Sequence, residues 1–333
     1  MRHGWLGVVM VVVSGWGCPP VDVRSDAPAR ARPASHRDAG QGAVADPDAR
    51  GGADGVKEEG AGARGAAHPL SAQNPHWVEA VEPFRIAGPL HYVGTRGLGS
   101  YLLVTSDGNV LFNTGMPGSG EMIVESMRKL GYEAGSVKLI INSHAHIDHA
   151  GGLAYLRETT GAPVAIMDRD VASIEDGGRS DFHYGDDAEM WFPACNVDRV
   201  LKDGEEIVMG EVRLRAHLTA GHTRGSTTWV ARFEAEGREL TVVWPDGVSV
   251  NPGYRLGGEE SYPGIAEDYR RTFEVLEGLR PDVWLAAHTE WFGLEKRMEA
   301  AKTEGLKAWL NREEYGRWVG GRRRAFERVV GKR

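Results

Sequence analysis

Cysteine is almost missing from this chain: 333 residues hold only Cys18 and Cys195. That excludes a disulfide framework and a thiolate-rich structural metal site. Membrane-length apolar runs are missing from the N-terminus too. Trp5-Leu-Gly-Val-Val-Met-Val-Val-Val13 follows a short basic start and is too short to cross a bilayer, so residues 1–17 read as an export signal. From Pro19 to Asn74 there is no aromatic residue, no Ile and a single Leu, Leu70. Such a stretch cannot bury enough apolar surface to offset its ordering entropy, and residues 18–75 are predicted to form a disordered tether rich in Ala, Gly and Pro. Basic residues are also in deficit. The 39 Lys and Arg against 47 Asp and Glu leave a net charge of −8, which argues against nucleic acid as a partner.

What the chain has in plenty is histidine, and it is clustered. His144-Ala-His-Ile-Asp-His149 packs three imidazoles and a carboxylate into six residues. It follows the apolar run Val137-Lys-Leu-Ile-Ile-Asn-Ser143, which reads as a buried strand, and precedes a helix-like segment at 150–157. In an extended segment His144 and His146 project the same way, while Asp148 and His149 fall in the turn and face a second point. His222 stands in a Gly-punctuated turn between strand-like runs at 212–218 and 227–233. His288 closes the apolar strand Val283-Trp-Leu-Ala-Ala-His288. Three strand ends that deliver imidazoles to one sheet edge build a pocket with six ligands, or two sets of three. Neutral imidazole and carboxylate suit zinc, and three protein ligands per metal leave a position open for water, as in catalytic sites.

These motifs resemble the metallo-β-lactamase superfamily over roughly residues 84–330. The carriers are the H-x-H-x-D-H run, Gly221-His-Thr-Arg-Gly-Ser-Thr-Thr-Trp229 and the terminal Ala-Ala-His288. Tyr262-Pro-Gly-Ile-Ala-Glu-Asp-Tyr-Arg-Arg-Thr-Phe273 and Gly177-Gly-Arg-Ser-Asp-Phe-His-Tyr-Gly185 are similar to segments of class B, subclass B3 enzymes. The resemblance implies two Zn2+ per chain. His144, His146 and His222 hold the first, and Asp148, His149 and His288 hold the second. It also implies an αββα sandwich of two mixed sheets with helices on the outer faces, occupying residues 76–333. The implied reaction is opening of a β-lactam ring by a water shared between two zincs, oriented by Asp148, with Ser249 binding the substrate carboxylate. The alternatives are a dizinc hydrolase of a lactone, thioester or phosphodiester, and a lipid-anchored binding module with a degenerate site; none of the six ligands is missing, which disfavours the module.

The sequence departs from the family pattern at three places. Asn113 stands where relatives carry an Asp that steadies the site, and Gly247 where they carry a Ser. Asp246 either bridges the metals or is a buried carboxylate bonding backbone amides; we favour the second. Ser14-Gly-Trp-Gly before Cys18 resembles a lipoprotein cleavage site, so the chain is expected to be exported, either lipid-anchored at Cys18 or released by simple signal cleavage. Cys195 is expected to be a buried, inert thiol. Arg322-Arg-Arg324 is read as a solvated helix end.

Overall fold

A computed structural model describes residues 68–331; the expected export signal, Cys18 and most of the expected tether lie outside them. The described chain builds two sheets. Seven strands form the first in sequential order: β1 (Phe84–Ala87), β2 (Leu90–Tyr92), β3 (Tyr101–Leu103), β4 (Asn109–Phe112), β5 (Val137–Ile141), β6 (Val164–Met167) and β7 (Arg199–Leu201). β1 to β4 pair antiparallel, and β4 to β7 pair parallel. The second sheet has the order β12-β11-β10-β9-β8, from β8 (Glu206–Met209), β9 (Val212–Leu218), β10 (Thr227–Ala235), β11 (Arg238–Trp244) and β12 (Val283–Trp284). Only the β11–β12 pair in it is parallel. β10 and β11 join through Glu236-Gly237, both at positive φ, the backbone twist that a two-residue hairpin requires.

Period-two alternation explains the layering. In β3, Tyr101 and Leu103 join one core cluster and Leu102 the other; β4 repeats this with Val110 and Phe112 against Leu111, and β5 with Leu139 and Ile141 against Ile140. The first set meets Trp229 and Phe233 of β10 and Trp244 of β11 between the sheets. The second set meets Ile123 and Met127 of α2 and Leu153 and Leu156 of α4. Eight α-helices occur among the described residues: α1 (Pro69–Gln73), α2 (Ser119–Lys129), α3 (Ile147–Ala150), α4 (Leu153–Thr160), α5 (Val171–Glu175), α6 (Ile265–Gly278), α7 (Leu294–Glu304) and α8 (Arg312–Val330). On the second sheet's side, Tyr269 and Phe273 of α6 stack on Phe326 of α8 at 5.2 and 5.5 Å. This is the expected αββα sandwich. Phe112 plugs its centre, 5.4 Å from the Trp244 ring across the sheets. Phe112→Ala is expected to cost about 3–5 kcal/mol, read as a lowered urea midpoint of the metal-free protein.

Two expectations need correction. The tether does not extend to residue 75, because Pro69–Gln73 is helical. Pro69 opens that helix, His68 Nδ1 accepts the Leu70 amide at 3.2 Å, and Leu70 and Trp77 pack on the outer core cluster. After His288 the chain does not run on as one long helix: a φ of +56° at Gly305 ends α7 before a 3-10 turn at Gly305–Trp309. Arg322-Arg-Arg324 is not a helix end, since α8 continues to Val330. The Arg322 guanidinium lies over Trp291 at 4.5 Å and Trp318 at 5.5 Å, and Arg323 pairs with Glu277 and Glu327. β1, β7, α3 and α5 are each five residues or shorter and carry no period that the sequence shows.

Candidate metal centre

All six candidate ligands come to one edge of the sandwich. β5 ends at Ile141, and the chain then crosses a loop whose backbone is held at several points. Asn142 Nδ2 donates to the His144 carbonyl at 2.7 Å, Trp229 Nε1 to the Asn142 carbonyl at 3.0 Å, and Asn113 Oδ1 accepts the Ser143 amide at 2.8 Å. Thr114 holds the His149 carbonyl with both its amide and its hydroxyl. Asn113 therefore does positional work on the loop, although its own Nδ2 is buried without a partner among the described residues.

The ligand-type atoms of His144, His146 and His222 lie within 4.8 Å of one another, and so do those of His144, Asp148 and His149. His288 stands slightly apart from the second group, its Nε2 3.5 Å from Asp148 Oδ2 and its ring 5.0 Å from that of His149. His146 Nδ1 and His222 Nε2 are 3.2 Å apart. Two nitrogens bound to one tetrahedral zinc stand about 3.3 Å apart, given bonds of roughly 2.0–2.1 Å. His144 Nε2 and His149 Nε2 are buried and make no hydrogen bond among the described residues. A buried polar atom left unpaired costs about 1–3 kcal/mol, so these orphans fit a metal that is their missing partner.

Two rings of the first set are steered from their far side. His144 Nδ1 is 3.0 Å from Asp246 Oδ2, and His222 Nδ1 is 2.9 Å from the Ser249 carbonyl, which leaves both Nε2 atoms facing the site. Burial pushes the His144 imidazole down to about 4 against the pull of Asp246, and burial followed by the His144 and His146 rings drives His222 down as well. Burial likewise takes His288 to about 4. Neutral rings are the ligand form. Burial raises Asp148, but His149 and His288 outweigh it and hold the carboxyl well below its ordinary value.

Asp246 is committed elsewhere than between the two sets: Oδ2 faces His144, and Oδ1 accepts the Gly247 amide at 2.5 Å. Gly247 explains the missing serine. Its φ is +82°, and a Cβ there would sit 1.7 Å from the Thr219 carbonyl oxygen. Ser249 lines the cavity and, through its carbonyl, also accepts Tyr269 Oη at 2.6 Å.

Sequence reasoning missed two carboxylates. Asp170 is buried and ties the two ligand loops together, accepting the Ala145 and Gly225 amides and the Thr223 hydroxyl at 3.0, 2.6 and 2.7 Å. Burial raises it to about 6 in spite of those bonds. Asp181 lies in the already noted 177–185 segment, with Oδ2 3.5 Å from His146 Nε2. Burial raises Asp181, but His146 and two backbone amides win and hold it at about 2. The cavity above the histidines has a volume of about 400 Å³, with Leu70, Trp77, Met190 and Trp291 as its apolar wall and Asn251 and Ser249 as polar lining. Cys195 is buried in the outer core cluster and does not line this cavity, and burial pushes its thiol to about 11.

A metal-ready donor set at the open edge of an αββα sandwich defines a metallo-hydrolase. Residues 94–233 match the Metallo-beta-lactamase superfamily. The native FEZ-1 metallo-beta-lactamase from Legionella gormanii is similar at 40% identity and TM-score 0.74, covering 76% of this chain and 97% of that one. BJP-1, a subclass B3 metallo-beta-lactamase of Bradyrhizobium japonicum, is similar at 32% identity and TM-score 0.72, covering 77% and 96%. Among curated proteins, an N-acyl homoserine lactonase of Bacillus is 27% identical over 169 residues, which span 43% of this chain and 61% of the lactonase. The chain belongs to the metallo-beta-lactamase superfamily.

Proposed function

We propose that this chain is an exported, zinc-dependent β-lactam hydrolase of the subclass B3 type that confers antibiotic resistance. His144, His146 and His222 hold one zinc; Asp148, His149 and His288 hold a second. Zinc held by these residues would supply Lewis-acid polarisation of a carbonyl and a lowered pKa for bound water. Asp148, kept ionised by its neighbours, accepts a hydrogen bond from the attacking water and holds its direction. Ser249 offers its hydroxyl to the carboxylate that β-lactams carry beside the ring. The apolar wall takes the remaining, less polar body of the substrate, and closes water out around it. No side chain is acylated, so agents that act by acylating a serine do not inhibit.

The observation that carries this reading over the lactone, thioester or phosphodiester alternative is the position of Asp246. Both of its oxygens are engaged, by His144 and by the Gly247 amide, which supports a structural role for it over the bridging role that the alternative calls for. Likeness along nearly the whole length of several metallo-beta-lactamases supports the same choice, since the lactonase likeness is partial. The test is turnover by the zinc-loaded protein of a penicillin, a cephalosporin, a carbapenem, a thioester and an acyl homoserine lactone. The expected result is kcat/KM at least about 100-fold higher on a β-lactam, a difference near 2.7 kcal/mol in barrier. A lactone or thioester preferred by that margin replaces the proposal with the alternative.

A further inference from the structure

The three rings of the first set do not present the same nitrogen. His144 and His222 turn Nε2 inward and anchor Nδ1 on Asp246 and on the Ser249 carbonyl. His146 is reversed: Nδ1 faces His222 Nε2 at 3.2 Å, and Nε2 points outward to Asp181 Oδ2 at 3.5 Å. At that separation Nε2 makes no hydrogen bond and is a buried orphan among the described residues, and a ring shift of about 0.5 Å brings the pair to an ordinary hydrogen-bond length. The other Asp181 oxygen, Oδ1, accepts the His183 amide at 2.8 Å and the Tyr184 amide at 2.7 Å. The same carboxylate thus fixes the turn that sets Tyr184 into the cavity wall, its ring 5.4 Å from that of His146.

We propose that Asp181 is a positioning residue which, by accepting a hydrogen bond from His146 Nε2–H, keeps the lone pair of Nδ1 on the metal side and locks the Tyr184 turn to the first ligand set. The inference rests on the proposed zinc role of His146. An imidazole carries one N–H when neutral, so whichever nitrogen finds an acceptor outside leaves the other free to bind inside. A carboxylate behind a histidine ligand fixes both tautomer and ring direction, and losing such a partner typically weakens metal binding about 10–100-fold.

Asp181→Asn separates the two duties of this side chain. The amide has one oxygen, and two short backbone N–H bonds outbid one long contact to a ring, so the oxygen stays on the His183 and Tyr184 amides. The amide NH2 then faces His146 Nε2, where it can only donate. The ring answers by moving its proton to Nδ1, and the metal-side lone pair is lost. The turn itself survives.

The experiment measures zinc affinity by competition with a chromophoric chelator for wild type, Asp181→Asn and His146→Ala, with thermal melting of the metal-free forms beside it. The expected result is wild type with two zincs, and Asp181→Asn with the tighter or weaker of the two sites loosened about 10–100-fold at an unchanged metal-free melting temperature. Long-range 1H–15N spectra of the zinc-loaded wild type are expected to assign Nδ1 of His146 to the metal and Nε2 to the N–H, a readout that does not depend on the variant folding. Wild-type affinity in a folded Asp181→Asn, or Nε2 of His146 on the metal, overturns the inference. A wild type that binds no zinc, or is unaffected by His146→Ala, overturns the underlying site reading instead.

Discussion

Stripping the protein of zinc with a chelator is expected to lower β-lactam turnover by more than about 10³-fold, near 4 kcal/mol in barrier, and adding zinc back is expected to restore it. The magnitude follows from the donor set: buried imidazoles, those of His144 and His149 with orphaned Nε2 atoms, offer no nucleophile of their own. Stability falls with the metal. A ligand present at about 1,000 times its dissociation constant stabilises the folded state by roughly 4 kcal/mol, so the metal-free protein melts at a lower temperature. His222→Ala and His288→Ala divide the effect, since each belongs to a different set. Each variant is expected to retain about one zinc by metal analysis, His222→Ala emptying the site of His144 and His146 and His288→Ala the site of Asp148 and His149. Full activity in the zinc-depleted protein contradicts the proposal outright.

Asp148→Ala is expected to lower kcat about 10²–10⁴-fold while changing KM much less. Asp148 Oδ2 lies 3.1 Å from His149 Nε2 and 3.5 Å from His288 Nε2, and its carboxyl is held ionised by both rings. Its removal takes away a ligand and the acceptor that directs the attacking water, whereas Ser249 and the apolar wall still bind the substrate. Steady-state kinetics at saturating zinc separate the two parameters. An Asp148→Ala enzyme whose KM rises in proportion to its loss of kcat/KM, with kcat intact, shows a binding role only and removes the orienting role.

The six candidate ligands were legible because four of them sit within six residues, His222 stands in a Gly-punctuated turn between two strand-like runs and His288 ends an apolar run. Metal ligation leaves such marks, since a hard-to-bury set of polar residues stands at the end of a run that must be buried. The β-strands of the second sheet were legible for the same reason: β9 alternates Val212, Leu214, Ala216 and Leu218 inward with charged neighbours. The partners of the ligands were not. Asp170, Asp181 and Asp246 lie 25, 35 and 102 positions from Ala145, His146 and His144, the residues of the first ligand loop that they face. A lone Asp in a loop reads the same whether it faces water or a buried imidazole. The conformation of Gly247, too, depends on where Thr219 lands, which no local pattern contains.

The clasp made by Asp170 bears on the order of events while the chain folds. It draws the Ala145 amide of one loop onto Thr223 and Gly225 of another, and these loops hang from different sheets. Neither sheet by itself owns all three ligands of either proposed set, since His222 and His288 follow strands of the second sheet and the other four follow β5 of the first, so a half-folded chain offers a passing ion only part of each set. Closing so long a loop is slow compared with local pairing. Metal capture is therefore a late event, one that waits for the halves to dock and then seals them, and a chain released before docking leaves empty-handed.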